Sequence, residues 1–335
     1  MKKTLIALAA LGAMAGAAHA QSTVTLYGVA DAHFGQKSTT TNVAGVGTKL
    51  SQTVIDSGGH NGSRWGLKGA EDLGGGLKAI FQLESGFTID NGNVANGATM
   101  FGRQAFVGLS GGFGSVTMGR QYTAYDALRG ATNNTNDSSF ATTGTVWGTG
   151  LADYAGRTNN SIAYTSPSFG GFSGAVVLGL GEDKTAAASA SRNTSLNLMY
   201  ANGPILAGYA YQQEKAVGGA NSNKYHLFAG SYDFGVVKLV GAYNRAKDNT
   251  IKDKEYQLGL SAPFGAFTVY GGYTRAKTTV AATSSTASGY SLMGTYDLSK
   301  RTRLYTAYNN TKNNGAAVAG VYKTSALVAG VKHSF

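Results

Sequence analysis

Residues 24–34 read VTLYGVADAHF, and the apolar side chains of this stretch occupy its even positions. The odd positions are mostly polar and include Asp31 and His33. A period of two predicts a β-strand with one apolar and one polar face. The same alternation returns at residues 64–69, 195–200 and 290–297. The sequence therefore predicts an all-β fold.

Seven turn signals separate the alternating stretches. Glycine and asparagine supply the positive φ that tight turns need, and all three prolines fall within these signals, where no ladder hydrogen bond is lost. The signals lie at residues 71–76, 111–114, 167–171, 202–204, 233–235, 263–265 and 297–301. Most are about 30–40 residues apart, which fits two strands of about 10–12 residues and one longer loop. Seven turns join fourteen strands, and the two terminal strands raise the prediction to sixteen.

One interval is longer than the others, because nearly 60 residues separate the signals near residues 112 and 169. The excess, about residues 120–156, is rich in Asn, Thr, Ser and Gly and also contains Tyr, Phe and Trp. A loop of this length in a compact protein is usually functional or disordered. Its aromatic residues favour packing, so we predict an inward-folded constriction loop, with a surface loop as the alternative.

The first twenty residues differ from the rest of the chain. Lys2 and Lys3 precede an apolar run that ends near Ala18, and residues 18–20 (AHA) fit the cleavage pattern of a secretory signal peptide. The run is shorter than the ~20 residues of a membrane-spanning helix. We expect a cleaved signal peptide at residues 1–20 and a single exported β-barrel domain at residues 21–335.

Composition favours a membrane barrel over a soluble β-protein. Charged residues make up 13% of the chain, against about 25% in an ordinary soluble domain. There is no cysteine, which excludes a disulfide framework, a thiolate metal site and a cysteine nucleophile. Sixteen strands enclose a lumen too wide for side chains to fill. We predict a 16-stranded antiparallel transmembrane barrel in a Gram-negative outer membrane, with short periplasmic turns, long extracellular loops and a water-filled pore.

Neither an enzyme nor a cofactor or metal site is predicted. The five histidines form no HExxH motif, and the glycine-rich stretches lack the Lys-Ser/Thr of a phosphate loop. The net charge is +11, or +9 once Lys2 and Lys3 are removed, and it suggests anionic partners. Export argues against nucleic acid, which leaves lipopolysaccharide and permeating anions.

Several motifs resemble those of one family. They are residues 25–31 (TLYGVAD), 63–74 (SRWGLKGAEDLG), 102–109 (GRQAFVGL), 157–167 (RTNNSIAYTSP), 296–302 (YDLSKRT) and the terminal Phe335. Together they resemble the Gram-negative trimeric porins of the β-proteobacterial type, as in Neisseria, Burkholderia and Bordetella, over the whole mature chain. The resemblance implies a sixteen-stranded homotrimer with its third loop folded into each pore. It also implies that Phe335 belongs to the signal read by the barrel assembly machinery of the outer membrane.

Strand parity places four cations in the predicted lumen. Arg64 and Lys68 lie opposite the apolar face of their strand. Arg103 shares its predicted lumen face with Val107, and Arg157 lies opposite the apolar residues that follow it. The resemblance implies that Arg64, Arg103 and Arg157 form a basic ladder across from the constriction loop. Because arginine and lysine rings favour anions, we expect a preference for anions.

Acidic residues are predicted on the other side of the pore. Three of them lie on or near the long loop, namely Asp126, Asp137 and Asp153, and Glu84 and Asp31 are placed on the lumen face of strands. Acids facing the cations would set up a transverse electric field. The sequence does not identify the physiological solute.

Three functions remain open. The first is a general or weakly anion-selective porin for passive diffusion of small hydrophilic solutes. The second is a substrate-specific porin, with an aromatic slide formed by Trp147 and Tyr154. The third is a surface receptor or adhesin barrel whose lumen is plugged.

Overall fold

A computed structural model describes residues 23–43, 46–97, 99–148, 150–151, 153–219, 222–315 and 320–335. The predicted signal peptide lies outside these described residues. Within them the chain forms one antiparallel sheet of seventeen strand segments, and three short helical segments lie in a single long loop. None of the helices in this described part is long and apolar enough to cross a membrane.

The strands are β1 (Thr23–Val43), β2 (Val46–Ser57), β3 (Arg64–Gly74), β4 (Leu77–Gly86), β5 (Gln104–Gly111), β6 (Gly114–Tyr122), β7 (Arg157–Thr165), β8 (Phe172–Leu180), β9 (Arg192–Asn202), β10 (Ile205–Lys215), β11 (Ser222–Asp233), β12 (Lys238–Lys247), β13 (Ile251–Phe264), β14 (Phe267–Val280), β15 (Thr283–Asp297), β16 (Thr302–Gly315) and β17 (Gly320–Ser334). The helical segments are α1 (Ala124–Ala131), a 3₁₀ turn (Asn134–Asp137) and α2 (Thr143–Val146).

The barrel closes between its first and last strands. One edge of β1 pairs with β17, from Val29 to Thr41. The other edge pairs with β3 at its beginning and with β2 further along. β2 and β3 therefore occupy one position in the wall and are separated by residues 58–63. The prediction of sixteen strands is confirmed, and the second of them is broken into two pieces.

The seven predicted turns connect successive strands at one end of the barrel, beginning with the turn between β3 and β4. Gly75 and Gly76 in that turn have φ of 60° and 81°, which a residue with a Cβ rarely adopts. The C-terminus lies at the same end, where Phe335 and Gly28 exchange two backbone hydrogen bonds of 3.0 and 3.1 Å. Short turns of outer-membrane barrels face the periplasm, so the opposite end carries the extracellular loops.

Exposure alternates along the strands as predicted. Val24 and Leu26 are 64% and 60% exposed, whereas Asp31, of opposite parity, is buried. The same holds on β13, where Leu258 is exposed and Glu255 is buried. The apolar wall thus faces outward and the polar face lines the lumen.

The main buried cluster lies inside the barrel, where the loop between β6 and β7 packs on the wall. Tyr125, Leu128 and Trp147 of this loop are buried in one cluster with Tyr225 and Leu227 of β11. The loop comprises residues 123–156 and is the third connection at the extracellular end, counted from the N-terminus. The prediction of an inward-folded third loop is confirmed.

Candidate pore constriction

Polar side chains of the wall hold the constriction loop (residues 123–156) in place. Ser195 Oγ on β9 accepts a 3.0 Å hydrogen bond from the Ala124 N–H. Asp253 Oδ2 on β13 accepts one of 2.7 Å from the Leu151 N–H. These bonds satisfy backbone donors at both ends of the loop, which fixes its path along one side of the lumen.

An ion pair joins the first helix of the constriction loop to the C-terminal part of the same loop. Arg129 of α1 lies 3.0 Å from Asp153 Oδ2, and its guanidinium group stacks over the rings of Tyr154 and Trp147 at 4.6 and 5.3 Å. Arg129 is almost fully buried, and such desolvated cation–π contacts are stronger than exposed ones. Asp153 is therefore bound to the loop's own arginine rather than to the predicted basic ladder.

The three predicted arginines come together on the opposite wall. Arg103 donates from Nη2 to the Tyr122 hydroxyl at 2.8 Å, and Arg157 donates to the same oxygen. The Arg157 guanidinium also lies 4.2 Å from the centre of the Tyr122 ring. Arg64 is within electrostatic range of both other arginines. We call Arg64, Arg103 and Arg157 the basic wall.

The strand parity assumed for Arg103 was wrong. Val107 is 61% exposed on the outer face of β5, so residues of its parity point to lipid. Arg103 still reaches the lumen because it precedes the first residue of β5 and is not bound by the alternation of that strand. A loop residue has backbone dihedral angles that parity does not describe.

Glu84 lies on the basic wall, and not on the acidic side where it was predicted. Its carboxylate accepts a 2.7 Å hydrogen bond from Arg103 Nε and one of 2.9 Å from the Tyr27 hydroxyl. The Arg103–Glu84 ion pair is nearly buried, with side-chain exposures of 11% and 6%. This acid partly neutralises the cations beside it.

Asp31 does not line the pore. It is fully buried, and its carboxylate accepts hydrogen bonds from the backbone N–H groups of Gly59, His60 and Asn61 and from the Tyr305 hydroxyl, all between 2.6 and 3.0 Å. Asp31 thereby holds residues 58–63, the break between β2 and β3, against the wall. Its role in the structure is to position the segment that leads into Arg64.

Lys68 lies apart from the basic wall. It is four residues from Arg64 on β3, or about 13 Å toward the periplasmic end at the usual rise of a strand. Its ammonium group lies 5.1 Å from the centre of the Tyr27 ring. Lys68 is exposed and belongs to the approach to the constriction.

Asp126 and Asp137 are the loop acids that act on the basic wall. Burial raises the pKa of Asp126, although a 2.6 Å hydrogen bond from the Tyr154 hydroxyl and the charge of Arg157 oppose this effect. Enclosure within the barrel also raises the pKa of Asp137, which the charges of Arg64 and Arg103 counteract. Both acids line a recess of about 370 Å³. Asp126 and Asp137 therefore lie within electrostatic range of the basic wall.

Two lumen cations on the last two strands were missed. Arg303 of β16 and Lys332 of β17 lie directly opposite each other, and Lys332 also pairs in register with Asp31. Arg303 binds Asp297 through two hydrogen bonds of 2.5 and 2.8 Å. Their apolar strand neighbours, Leu304 and Val331, face outward. Parity alone could have identified both cations.

The predicted aromatic slide is not formed. Trp147 is only 2% exposed and packs on the wall, and Tyr154 is engaged by Arg129 and Asp126. Neither ring presents an open face along the lumen.

Among the described residues, no group of three or more histidine or acidic side chains could hold a metal ion.

The chain is similar to known proteins over its whole length. A family model described as Gram-negative porin matches residues 7–316. An outer membrane porin protein of Bordetella pertussis is 35% identical, with 100% of both chains covered. Outer membrane porin protein 32 of Delftia acidovorans is 38% identical over 99% of this chain and 95% of that protein.

Solved structures show the same architecture. The anion-selective porin from Comamonas acidovorans superimposes with a TM-score of 0.80 at 32% identity, covering 94% of this chain and all of the other. OmpT of Vibrio cholerae, in a form lacking loop L8, gives a TM-score of 0.70 at 17% identity over 94% of this chain and 99% of the other, which speaks to the fold alone.

Proposed function

This chain belongs to the Gram-negative porin family and is an outer-membrane channel protein, and on that premise we propose that it lets small hydrophilic solutes and ions diffuse passively, with a preference for anions. The observation that carries the anion preference is the convergence of Arg64, Arg103 and Arg157 around Tyr122. Fixed cations in a narrow aqueous gap lower the entry barrier for anions.

The loop acids modulate this preference without reversing it. On the described part of the wall, three guanidinium groups lie beside the carboxylate of Glu84, which is bound to one of them. Asp126 and Asp137 lie on the loop, and burial of Asp126 favours its neutral form. The Comamonas porin at 32% identity is described as anion-selective, which agrees with this proposal.

Reversal potentials in a KCl gradient across a planar bilayer test the proposal. We expect Cl⁻ to be favoured over K⁺, and we expect Arg64→Gln and Arg157→Gln each to reduce the permeability ratio. Lys78→Gln is the matched control, because Lys78 is an exposed cation at the periplasmic end of β4. A preference for K⁺, or arginine variants that behave like the control, would refute the assignment. The same recordings show stepwise conductance for a diffusion channel and saturable block for a substrate-specific one.

We further propose that the protein is a homotrimer. Family membership supports this, and one matched structure, OmpT of Vibrio cholerae, is described in a trimer form. Native mass spectrometry of the detergent-extracted protein should give three times the mass of the mature chain. A monomer that conducts equally well would contradict the trimer but not the channel.

Export and assembly complete the proposal. Residues 1–20 should be removed, so that N-terminal sequencing of the mature protein begins at Gln21. Phe335, which closes the barrel against Gly28, is proposed as the residue read by the assembly machinery. Phe335→Ala should reduce the amount of barrel in cells while the purified variant still refolds in micelles. A variant that refolds poorly in micelles as well would assign Phe335 to barrel stability instead.

A further inference from the structure

Seven basic side chains form a cluster on the outer surface of four adjacent strands, β11 to β14, toward the extracellular end. We call this cluster the outer basic patch, and its members are Lys224, Arg245, Lys247, Lys252, Lys254, Arg275 and Lys277. Five of them are exposed and two are half-buried. Among the residues that the structure describes, none of the seven takes part in an ion pair.

Strand parity shows that the patch points away from the lumen. Lys254 shares its face of β13 with Tyr256 and Leu258, which are 49% and 66% exposed. Lys277 shares its face of β14 with Tyr273, which is also exposed. The patch therefore lies on the wall that faces lipid and takes no part in the pore.

The register of the strands brings like charges directly opposite one another. Lys224 pairs with Lys247, and Arg245 pairs with Lys254. Lys254 is in turn opposite Lys277. The Cβ atoms of residues in such positions are about 5 Å apart, and like charges there destabilise the sheet. An anion bound between them would remove this cost.

The acids of the same strands do not supply that anion. Asp253 and Glu255 alternate with the lysines of β13 but are buried on the lumen side, where they accept hydrogen bonds from the constriction loop. Asp248, in the turn between β12 and β13, uses its carboxylate on the backbone N–H groups of Thr250 and Ile251. The chain itself thus leaves the patch without a counter-charge among the described residues.

The level of the patch in the membrane follows from its neighbours. Three aromatic residues of the outer face lie two to four residues closer to the middle of the barrel than the nearest basic residue of the same strand. They are Phe228, Tyr256 and Tyr273, and Phe228 is 54% exposed. Exposed aromatic residues of outer-membrane barrels mark the interface between the hydrocarbon and the head groups. The basic side chains beyond them stand at the level of the head groups of the outer leaflet.

We propose that the outer basic patch binds the phosphate groups of lipopolysaccharide, the phosphorylated glycolipid of the outer leaflet. This deepens the partner suggested by the sequence and rests on the outer-membrane location of the channel. The acyl chains of such a lipid would pack on Leu258 and the aromatic residues, and its phosphates would take charge-assisted hydrogen bonds from the lysines and arginines. One molecule with an apolar tail and an anionic head matches both parts of the surface.

The test compares lipid A that carries both phosphates with phosphate-free lipid A, titrated into the intact detergent-purified protein and followed by native mass spectrometry. Wild type should bind the phosphorylated form and bind the phosphate-free form far more weakly. The variant Arg245→Gln, Lys254→Gln, Lys277→Gln should bind phosphorylated lipid A roughly a hundred-fold less tightly, because basic residues at an anionic surface contribute nearly additively. Glutamine keeps the length and polarity of the surface and removes only charge.

A second triple variant, Lys78→Gln, Lys300→Gln, Arg301→Gln, is the control, since it removes the same charge from exposed positions at the periplasmic end. It should bind like wild type. Equal binding of the two lipids by wild type, or equal loss in both variants, would overturn the proposal. Channel conductance, measured in phospholipid bilayers on the same preparations, reports separately on the pore and should stay unchanged.

Discussion

The Nε of Arg103 lies 2.7 Å from Oε1 of Glu84, so the basic wall of the pore contains an acid of its own. Both side chains are nearly buried, and the Tyr27 hydroxyl donates to the second carboxylate oxygen. The pair therefore sets two properties together. It orients the Arg103 guanidinium toward Tyr122, and it lowers the net positive charge that a passing ion meets.

Replacing Glu84 by Gln should raise the preference for anions. The amide still accepts a hydrogen bond from Arg103 but no longer offsets its charge. We expect a larger Cl⁻/K⁺ permeability ratio and a free energy of unfolding reduced by less than the roughly 3–5 kcal/mol that breaking a buried ion pair costs. Reversal potentials and denaturant titration measure the two effects. Glu71→Gln, at the exposed periplasmic end of β3, is the control, and a Glu84→Gln ratio no higher than wild type would contradict the prediction.

Lowering the pH should also strengthen the preference for anions. Enclosure raises the pKa of Asp126 and Asp137, so both carboxyls take up protons at a higher pH than an ordinary aspartate, whose value is 3.8. As pH falls, the negative charge opposite the basic wall disappears while the arginines remain charged. The permeability ratio should therefore rise between neutral pH and about pH 4.

The double variant Asp126→Asn, Asp137→Asn identifies the groups responsible. At pH 7 it should already show the higher permeability ratio, and it should lose most of the pH dependence. Asparagine also tolerates the positive φ of 52° at residue 137. A double variant whose ratio still follows the wild-type pH curve would assign the titration to other carboxyls.

Arg129 should control the stability of the constriction loop rather than its charge. Arg129→Gln removes the ion pair with Asp153 and the stacking on Tyr154 and Trp147. We expect a noisier open channel and closure at lower voltage, because the loop gains alternative positions. Single-channel recording measures the noise and the closing voltage. Lys312→Gln, at an exposed position on the outer face of β16, is the control. Recordings as quiet as those of wild type would mean that the wall contacts alone hold the loop.

The sequence predicted the fold well because each of its signals is local. Alternation in residues 24–34 decides which face of β1 meets lipid, and the seven turns mark where strands reverse. What the sequence did not reveal is the break between β2 and β3. Residues 58–63 leave the wall because three of their backbone N–H groups donate hydrogen bonds to the Asp31 carboxylate. Asp31 precedes them in the sequence by nearly thirty positions. Such a contact depends on the closed barrel.

The site was predictable only in part, for the same reason. Arg64 follows strand parity, and Arg303 could have been found in the same way. Near Arg157 the alternation of β7 is broken, because the pairing with β6 shifts register between Thr158 and Ser161. Arg103 and Glu84 could not, since their positions depend on a loop conformation and on a mutual ion pair. For a carboxylate on the lumen face, the sequence alone does not reveal whether it contacts a loop, an arginine or water.

Asp31 offers a test of how the broken strand positions the basic wall. Asp31→Ala removes the acceptor for Gly59, His60 and Asn61, and hydrogen bonds to a charged group contribute about 1.5–3 kcal/mol each. We expect the free energy of unfolding to fall by about 3 kcal/mol or more on that basis. We also expect the anion preference to weaken, because Arg64 directly follows the released segment and is held by its Nε bond of 3.1 Å to the Gly62 carbonyl.

Denaturant titration in micelles and reversal potentials measure these two effects of Asp31→Ala side by side. Asp72→Ala is the matched control, because that carboxylate accepts one exposed backbone hydrogen bond of 2.9 Å from Gly74 at the periplasmic end of β3. The control should change neither quantity appreciably. If Asp31→Ala lowers stability but leaves the permeability ratio intact, then Arg64 is positioned by its own strand, and residues 58–63 serve the barrel wall without shaping its selectivity.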